Sequence, residues 1–368
     1  MQISLYNKLE DIPIDKEQWR KLLARNTTRS VFQSYAWTHN WWEQFGNNYT
    51  LFFLVAQNND GQVSGLAPLM LDESRTLRFI ADKNSDYLDF IIPDDRSEIL
   101  SAFFKKIREQ QHDWLMIELN NIRRCSDLLD HVKRICNSSN MYFWRNGTID
   151  APSLIIDGNE KHTERLLKKY STRRAEKQFS RQGEISFTVF RSREQAAPYW
   201  KAFFTQHIDR CGSVNRGSSF IQPAFRRFAR ELFEQTLEEH TVHFSVLELN
   251  GKPIAFHYGF ISENRLVWYK PCFDTKIKKG SPGLLLIKRL IEHCVDNKLQ
   301  ELDFTIGAEA FKDRFCSIRR RVDSARIYKS RTRYFTECIL HMMWDAVKHT
   351  LRKLFPGTNQ RKADSTRN

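Results

Sequence analysis

Hydrophobic and polar positions alternate along the N-terminal half of the chain with a period that switches between about two and about 3.6 residues. The shorter period is typical of half-buried strands and the longer of amphipathic helices. Residues 58–61, Asn-Asn-Asp-Gly, predict a hairpin turn because Asn and Gly tolerate positive φ. The pattern predicts strands at 3–6, 50–56, 63–71, 78–81, 87–92, 114–119, 142–145 and 153–156, and helices at 16–23, 35–45, 98–108 and 125–136.

The second half mixes strands and helices in a similar order. After a turn at 157–159, a basic helical pattern runs over 160–181, and we expect this helix to connect two domains. Further helices are predicted at 196–209, 223–238, 284–295 and 335–354, with strands at 185–190, 242–249, 254–261, 266–269, 301–304 and 326–329. The sequence therefore predicts an α/β fold in two domains, each with a mixed sheet of the α+β kind.

A basic glycine-containing loop, Lys-Lys-Gly-Ser-Pro-Gly at 278–283, leads into the helix predicted at 284–295. Backbone N–H groups at a helix start lack intrahelical partners, and the helix dipole adds positive charge there, so such a loop can bind an anion. The next strand places Asp303 close to this loop. The order favours an enzyme that holds a phosphorylated carrier, although a Gly-Pro turn that only starts a helix would look the same.

The chain is strongly basic, with 58 Lys and Arg against 44 Asp and Glu and a formal charge of +14. Such a charge favours partners such as nucleic acid, an anionic membrane or phosphorylated small molecules. Basic residues concentrate at 168–181 and 314–333. A charge run often does no more than keep a surface hydrated, so the clusters alone do not decide the partner.

The sequence argues against a metalloenzyme and against a secreted or membrane-spanning chain. Its seven cysteines include no C-x-x-C pair, which predicts reduced thiols and no metal. No apolar run approaches the ~18 residues of a spanning helix, and the N-terminus lacks the pattern of a signal peptide. Nucleophile-elbow, zinc-protease and Walker motifs do not occur. We therefore expect a cytoplasmic protein, with the oligomeric state left open.

Short motifs between Ile254 and Phe315 occur in the order and spacing of an acyltransferase family. They are Ile-Ala-Phe-His-Tyr-Gly-Phe at 254–260, Phe-Asp at 273–274, Ser-Pro-Gly at 281–283, Asp-Phe at 303–304 and Phe-Lys at 311–312. Looser matches in the N-terminal half are Phe-Gln-Ser at 32–34 and Gly-Leu-Ala-Pro-Leu at 65–69. Over about residues 25–330, the chain resembles the CelD-type, BioF-like branch of the GNAT acyltransferase superfamily, and is distantly similar to Fem-type transferases.

The resemblance implies two tandem GNAT-like domains. We expect a degenerate N-terminal domain at 1–157, an acyltransferase domain at 158–335, a C-terminal helix at 336–355 and a disordered tail at 356–368. In this superfamily the loop Arg/Gln-x-x-Gly-x-Gly/Ala binds the pyrophosphate of acyl-CoA. Aligned with 278–283, it implies acyl-CoA as co-substrate and, as donor-binding residues, Lys278, Lys279, Gly280, Ser281 and Gly283. Ser281 replaces the usual glycine, and Pro282 removes one backbone donor.

Candidate catalytic residues surround the end of the strand predicted at 301–304. Asp303 could orient or deprotonate an acceptor, and Glu309 is a second candidate base with Lys312 three positions on. His257 is a base candidate by residue type. Each also has a structural interpretation: a capping aspartate, a surface ion pair or a buried sheet histidine. The family often has a His-x-x-Arg stretch before a glycine, which implies His207, Arg210 and Arg216 as acceptor-binding residues.

Three functions fit this sequence. The first is transfer of an acyl group from acyl-CoA to an amine or hydroxyl of a sugar, amino acid or polysaccharide-related acceptor, because members of the resembled branch are associated with polysaccharide biosynthesis. The second is Fem-type peptidyl transfer from aminoacyl-tRNA, with the basic faces contacting tRNA. The third is a non-catalytic scaffold in polysaccharide biosynthesis that contacts an anionic membrane through a basic face.

Overall fold

The computed structural model describes residues 1–93, 97–307 and 309–354 of the chain. Two compact units are present. Unit 1 contains residues 1–150 together with the described residues from 320 onward, and unit 2 contains residues 151–319. The sequence predicted boundaries after residues 157 and 335, and the predicted tail at 356–368 lies outside the described residues.

Unit 1 is a sheet in the order β1-β2-β3-β4-β5-β12. Neighbouring strands are antiparallel except β4 and β5, which are parallel. Its strands are β1 (Gln2–Tyr6), β2 (Thr50–Gln57), β3 (Val63–Leu71), β4 (Thr76–Phe79), β5 (Met116–Arg123) and β12 (Ile318–Tyr328). Its helices are α1 (Lys16–Ala24), α2 (Tyr35–Phe45), α3 (Ser97–Glu109), α4 (Leu128–Asn137) and α11 (Arg331–Leu354).

The strands of unit 2 follow the order β6-β11-β10-β9-β8-β7. Only β10 and β11 are parallel among its described pairs. Its strands are β6 (Tyr142–Ile155, which joins this sheet through residues 153–155), β7 (Ile185–Val189), β8 (Val242–Leu249), β9 (Lys252–Ser262), β10 (Arg265–Phe273) and β11 (Glu301–Asp303). Its helices are α5 (Glu160–Leu167), α6 (Tyr170–Ser180), α7 (Arg193–Ala196), α8 (Trp200–Gly212), α9 (Pro223–Gln235) and α10 (Pro282–Asp296).

Both faces of the unit 2 sheet are buried, because successive side chains of a strand point to opposite faces and both faces carry helices. On β9, Phe256 and Tyr258 contact Phe203 of α8, with ring centroids 5.8 and 5.9 Å apart. Ala255 packs instead with the apolar side of α10, in the same cluster as Leu286. This packing fixes β9 and β10 rigidly beside the start of α10.

The sequence predicted the wrong number of elements in two places: one predicted helix is two helices, and two predicted strands are one strand. The helix predicted at 160–181 is two helices, α5 and α6, because Lys169 has extended backbone angles (φ −57°, ψ 140°). The hydroxyl of Thr172 donates to the carbonyls of Leu166 and Lys169 at 3.1 and 2.7 Å, which satisfies backbone groups at this break. The strands predicted at 142–145 and 153–156 are parts of the single strand β6.

The strand predicted at 87–92 is present only as isolated bridges at Leu88 and Ile91. Within the part of the chain that the structure describes, no helix combines the length and the apolar character needed to cross a bilayer.

Candidate active site

Strands β10 and β11 run side by side for a short distance, and β11 ends first. Three residue pairs join them, ending with Val267 opposite Asp303, where β11 ends while β10 continues to Phe273. At this point β10 also shifts its register against β9, between Val267 and Lys270. Such a bulge interrupts the regular hydrogen-bond ladder and is frequent beside active sites. Irregular backbone of β10 therefore lies beside the end of β11.

The turn that follows β11 is held by its own polar side chains. Asp303 is buried, and its Oδ1 accepts the N–H of Thr305 at 2.8 Å. Thr305 has a φ of 55°, and its hydroxyl donates to the carbonyl of Trp268 at 3.1 Å. The turn is thereby tied to β10 at the bulge, and Asp303 serves as its anchor.

A buried lysine lies directly beyond this turn. Lys312 is 2% exposed, and its Nζ lies 3.4 and 3.1 Å from the carbonyls of Thr305 and Ile306 and 2.9 Å from Oε2 of Glu309. Gly307, at a φ of 139°, makes this arrangement possible, since a Cβ there would lie 2.2 Å from Oε2 of Glu309. Lys312 and Glu309 therefore form an ion pair over a position that only glycine fits.

Glu309 also faces an arginine from a distant part of the sequence. Its Oε1 lies 3.4 Å from the guanidinium of Arg216, and its side chain remains about one-third exposed, at 32%. Burial favours the protonated acid, but the charges of Lys312 and Arg216 and the hydrogen bond from Lys312 outweigh it, so the pKa of Glu309 lies below its usual value. The carboxylate is therefore ionised at neutral pH.

The candidate acceptor-binding residues lie on α8 and the loop after it. His207 is buried, with Nδ1 2.8 Å from the hydroxyl of Ser218. Burial lowers the pKa of His207 to about 3, and the charges of Lys270, Arg216 and Arg210 add to this, so the ring is neutral. Arg210 stacks over the Phe273 ring at the end of β10, 4.8 Å from its centroid.

The predicted donor loop approaches other chain segments closely at its two glycines. Gly280 has a φ of 102°, and a Cβ there would lie 2.7 Å from the ring of Phe179 on α6. At Gly283 the corresponding distance to the ring of Phe273 is 3.0 Å. Phe273 thus joins the start of α10 to Arg210, and through α8 to the acceptor-binding candidates.

Ser281 and Pro282 define where the loop becomes a helix. Ser281 is the N-cap residue of α10, and Pro282 occupies its first turn. Lys278 and Lys279 are exposed, and the ammonium of Lys278 donates to the carbonyl of Thr275 at 3.2 Å. The loop therefore presents two exposed positive charges and the N-terminus of a 15-residue helix, a combination that can attract an anion.

His257 lies apart from this ion pair, in the layer beneath α10. It is fully buried, its Nδ1 is 3.0 Å from Nδ1 of His243, and its ring stacks obliquely near Trp268 at 5.4 Å. Burial, with a contribution from His293, lowers the pKa of His257 to about 3. A neutral ring held in this way is suited to packing.

Sequence reasoning did not select Thr305, Gly307 or Lys270 as site residues. Gly307 carried a detectable signal, since a glycine two residues before a charged Glu in a turn suggests a backbone that needs positive φ. Lys270 carried no such signal in the sequence, because only the fold reveals that its charge helps to lower the pKa of His207. No group of three or more potential metal-ligating side chains occurs among the residues with described structure.

One family model matches part of the chain. Residues 168–313 match the family model described as an acetyltransferase (GNAT) domain. This match confirms the resemblance to the GNAT superfamily and covers the loop, α10, β11 and the polar turn. No curated protein sequence matches the chain significantly.

Solved structures with similar folds cover nearly the whole chain. The crystal structure of FemX has a TM-score of 0.59 at 10% identity, over 88% of this chain and 97% of that one. L-PGS from Bacillus licheniformis has a TM-score of 0.54 at 14% identity, over 89% and 96%. A C-terminal domain (DUF2156) of a putative lysylphosphatidylglycerol synthetase from Agrobacterium fabrum has a TM-score of 0.53 at 14% identity, again over 89% and 96%. The predicted fold class, an α/β fold with two tandem GNAT-like domains, is confirmed.

Proposed function

We propose that this chain, which has the GNAT-like acyltransferase fold, transfers an acyl group from acyl-CoA to an amine or hydroxyl of a sugar, amino acid or polysaccharide-related acceptor. One observation supports this most strongly. Within the segment that matches the GNAT domain, β10 meets the basic loop before α10 at its end, where Gly283 lies against Phe273, and meets the turn that holds the Glu309–Lys312 ion pair near its bulge, at Trp268. A phosphorylated donor held at the loop and a proton-accepting group in the turn would therefore lie along the same strand.

The donor would be held through its phosphate groups. Lys278 and Lys279 supply charge, and Gly280 and Gly283 keep the backbone free of side chains where the chain turns into α10. The N-terminus of α10 adds partial positive charge towards the pyrophosphate. Pro282 costs one N–H donor, which the two lysines offset through charge.

The thioester carbonyl would lie at the bulge of β10. Attack by the acceptor turns this carbonyl oxygen into an oxyanion, and preorganised backbone N–H groups stabilise such a charge. Since the register shift lies between Val267 and Lys270, the backbone of these residues is the candidate oxyanion site. The C–S bond then breaks, and CoA leaves as a thiolate that takes up a proton.

Glu309 is the residue to which we assign the proton of the attacking amine or hydroxyl. It is ionised, partly exposed and held by Lys312 and Arg216. Asp303 would position the turn, while His207, Arg210 and Arg216 would bind the acceptor. Full burial supports a packing role for His257, whereas Glu309 is partly exposed.

The test is release of free thiol from acetyl-CoA in the presence of a panel of amino sugars, amino acids and sugar alcohols. Glu309→Gln should lower kcat/KM for an accepted substrate by ~100-fold, the usual effect of losing a general base. Glu292→Gln is the matched control, because Glu292 also pairs with a lysine, Lys288, but lies on α10 and not in the turn after β11. Equal activity of wild type and Glu309→Gln would reject the role of Glu309.

A second candidate, Fem-type transfer from aminoacyl-tRNA, is favoured by the similarity in fold to FemX and by the charge of +14. Affinity for tRNA that falls steeply between low and physiological salt, together with transfer from a charged tRNA, would support it. Indifference to tRNA at low salt would reject this candidate and leave the acyl-CoA proposal standing.

A further inference from the structure

The last helix, α11, presents an apolar face to solvent. Large apolar side chains on it are each 48 to 62% exposed: Phe335, Ile339, Leu340, Met342, Met343, Trp344 and Val347. At about 100° per residue, they cover a continuous arc of roughly 200° of the helix circumference. We name these residues the apolar arc. Monomeric proteins rarely expose so large an apolar patch unless it binds something.

The other side of α11 attaches the helix to unit 1. Tyr334 packs against Tyr142 and Tyr328, with ring centroids 5.7 and 6.1 Å apart. His341, two turns further on, meets the ring of Trp144 edge-on at 4.9 Å. The packing of unit 1 thus uses the side opposite the apolar arc.

The helix that carries the arc has a positive net charge. Residues 331–354 contain five Lys and Arg against two Asp and Glu. Arg331 and Arg333 lie in the first turn of α11, ahead of the arc. An apolar face bordered by basic residues is typical of a helix that lies in the interface of an anionic bilayer, because head-group phosphates attract the cations while apolar side chains enter the acyl boundary.

The composition and width of the arc also fit a bilayer better than a second copy of this chain. A tryptophan, Trp344, and two methionines suit a fluid, amphipathic interface. A two-helix seam uses a narrow stripe of two apolar positions in about every seven, far less than this arc. Two copies would also bring like charges together.

We propose that the apolar arc of α11 docks the protein onto anionic lipid surfaces, with the helix lying in the plane of the interface. This inference does not depend on which donor or acceptor unit 2 uses. It gives the protein access to acceptors or partners at a membrane surface.

The test is flotation of the full chain with vesicles of phosphatidylcholine and phosphatidylglycerol in equal parts, and with phosphatidylcholine alone. We expect binding to the anionic vesicles that weakens with salt and is at least ~10-fold weaker to the neutral ones. The double variant Ile339→Glu/Met343→Glu places two charges in the middle of the arc and should lower vesicle affinity at least ~10-fold. Because both side chains are more than half exposed, the variant should keep the circular dichroism and thermal midpoint of wild type.

Ile221→Glu is the matched control, since Ile221 is 60% exposed but lies outside α11. It should leave vesicle binding unchanged. Three results would overturn the proposal: no binding to anionic vesicles, equal binding by the double variant, or a lipid-free dimer that the double variant dissociates. The last result would assign the arc to a second copy of the chain.

Discussion

At the scale of single residues, the site depends on a glycine and an ion pair that meet in one turn. Lys312 is buried, and Glu309 is the carboxylate that compensates its charge. Removing one partner of a buried pair costs more than the pair contributes, because it leaves an uncompensated charge. Gly307 gives Glu309 the room to reach Lys312. Position 307 is therefore as important to the site as the charged residues.

Gly307→Ala should destabilise the protein by about 2 kcal/mol, because a φ of 139° is strained for any side chain. Its Cβ should also push the Glu309 carboxylate away from Lys312. The kcat/KM for acyl transfer should therefore fall even under conditions where the variant remains folded. Urea unfolding and kcat/KM measure the two effects. Gly212→Ala, at a helical glycine whose Cβ would meet open space, should be neutral or slightly stabilising. A Gly307→Ala protein with wild-type stability and activity would contradict this account of the turn.

At the scale of elements, two buried histidines, His243 and His257, and the half-buried His293 lie where β8, β9 and α10 pack. Nδ1 of His243 is 3.0 Å from Nδ1 of His257, so one ring must donate and the other accept. The ring of His293 on α10 lies 4.8 Å from that of His243. Burial is the main cause that holds the pKa of all three below 6.5. The packing of α10 on the sheet therefore requires neutral rings.

Stability should fall as the pH drops below about 6.5. The histidines of the unfolded chain then bind protons, whereas those of the folded chain, with their lower pKa, stay neutral. The loss is up to about 1.4 kcal/mol per pH unit for each histidine and continues towards pH 3 for His257. Between about pH 6 and 5 the carboxylates add little, because their unfolded pKa values are lower. Urea unfolding over this range measures the slope. His257→Gln should reduce the slope of the unfolding free energy against pH. His112→Gln, at an exposed position, should leave this slope unchanged. An unfolding free energy of the wild type that does not change over this pH range would refute the prediction.

The elements also show what sequence patterns can and cannot predict. The hairpin of β2 and β3 was predictable because Asn58–Gly61 carries local turn chemistry between two apolar runs. The break between α5 and α6 was not, since helical periodicity continues through it and only the Thr172 hydroxyl bonds reveal it. The ion pair of Arg216 and Glu309 joins positions 93 residues apart, so only the fold could bring it into view.

At the scale of the whole molecule, the evidence for the fold differs from the evidence for the proposed reaction. The match of residues 168–313 to a GNAT acetyltransferase domain and the similarity to FemX establish a GNAT-like acyltransferase fold. The proposal that acyl-CoA is the donor depends on the loop before α10, where Ser281 and Pro282 depart from the usual glycine pattern. Lysine charge must then compensate for missing backbone donors.

Calorimetric titration of the full chain with acetyl-CoA and longer acyl-CoAs tests this central claim most directly. We predict saturable binding to one site, weakened at least ~10-fold by Lys278→Glu/Lys279→Glu, because the loop would then repel phosphate. The control is Lys201→Glu/Lys252→Glu, which changes the net charge equally at exposed positions outside the loop. A folded wild-type chain that binds no acyl-CoA, or binds it as tightly when the loop charge is reversed, would contradict the account.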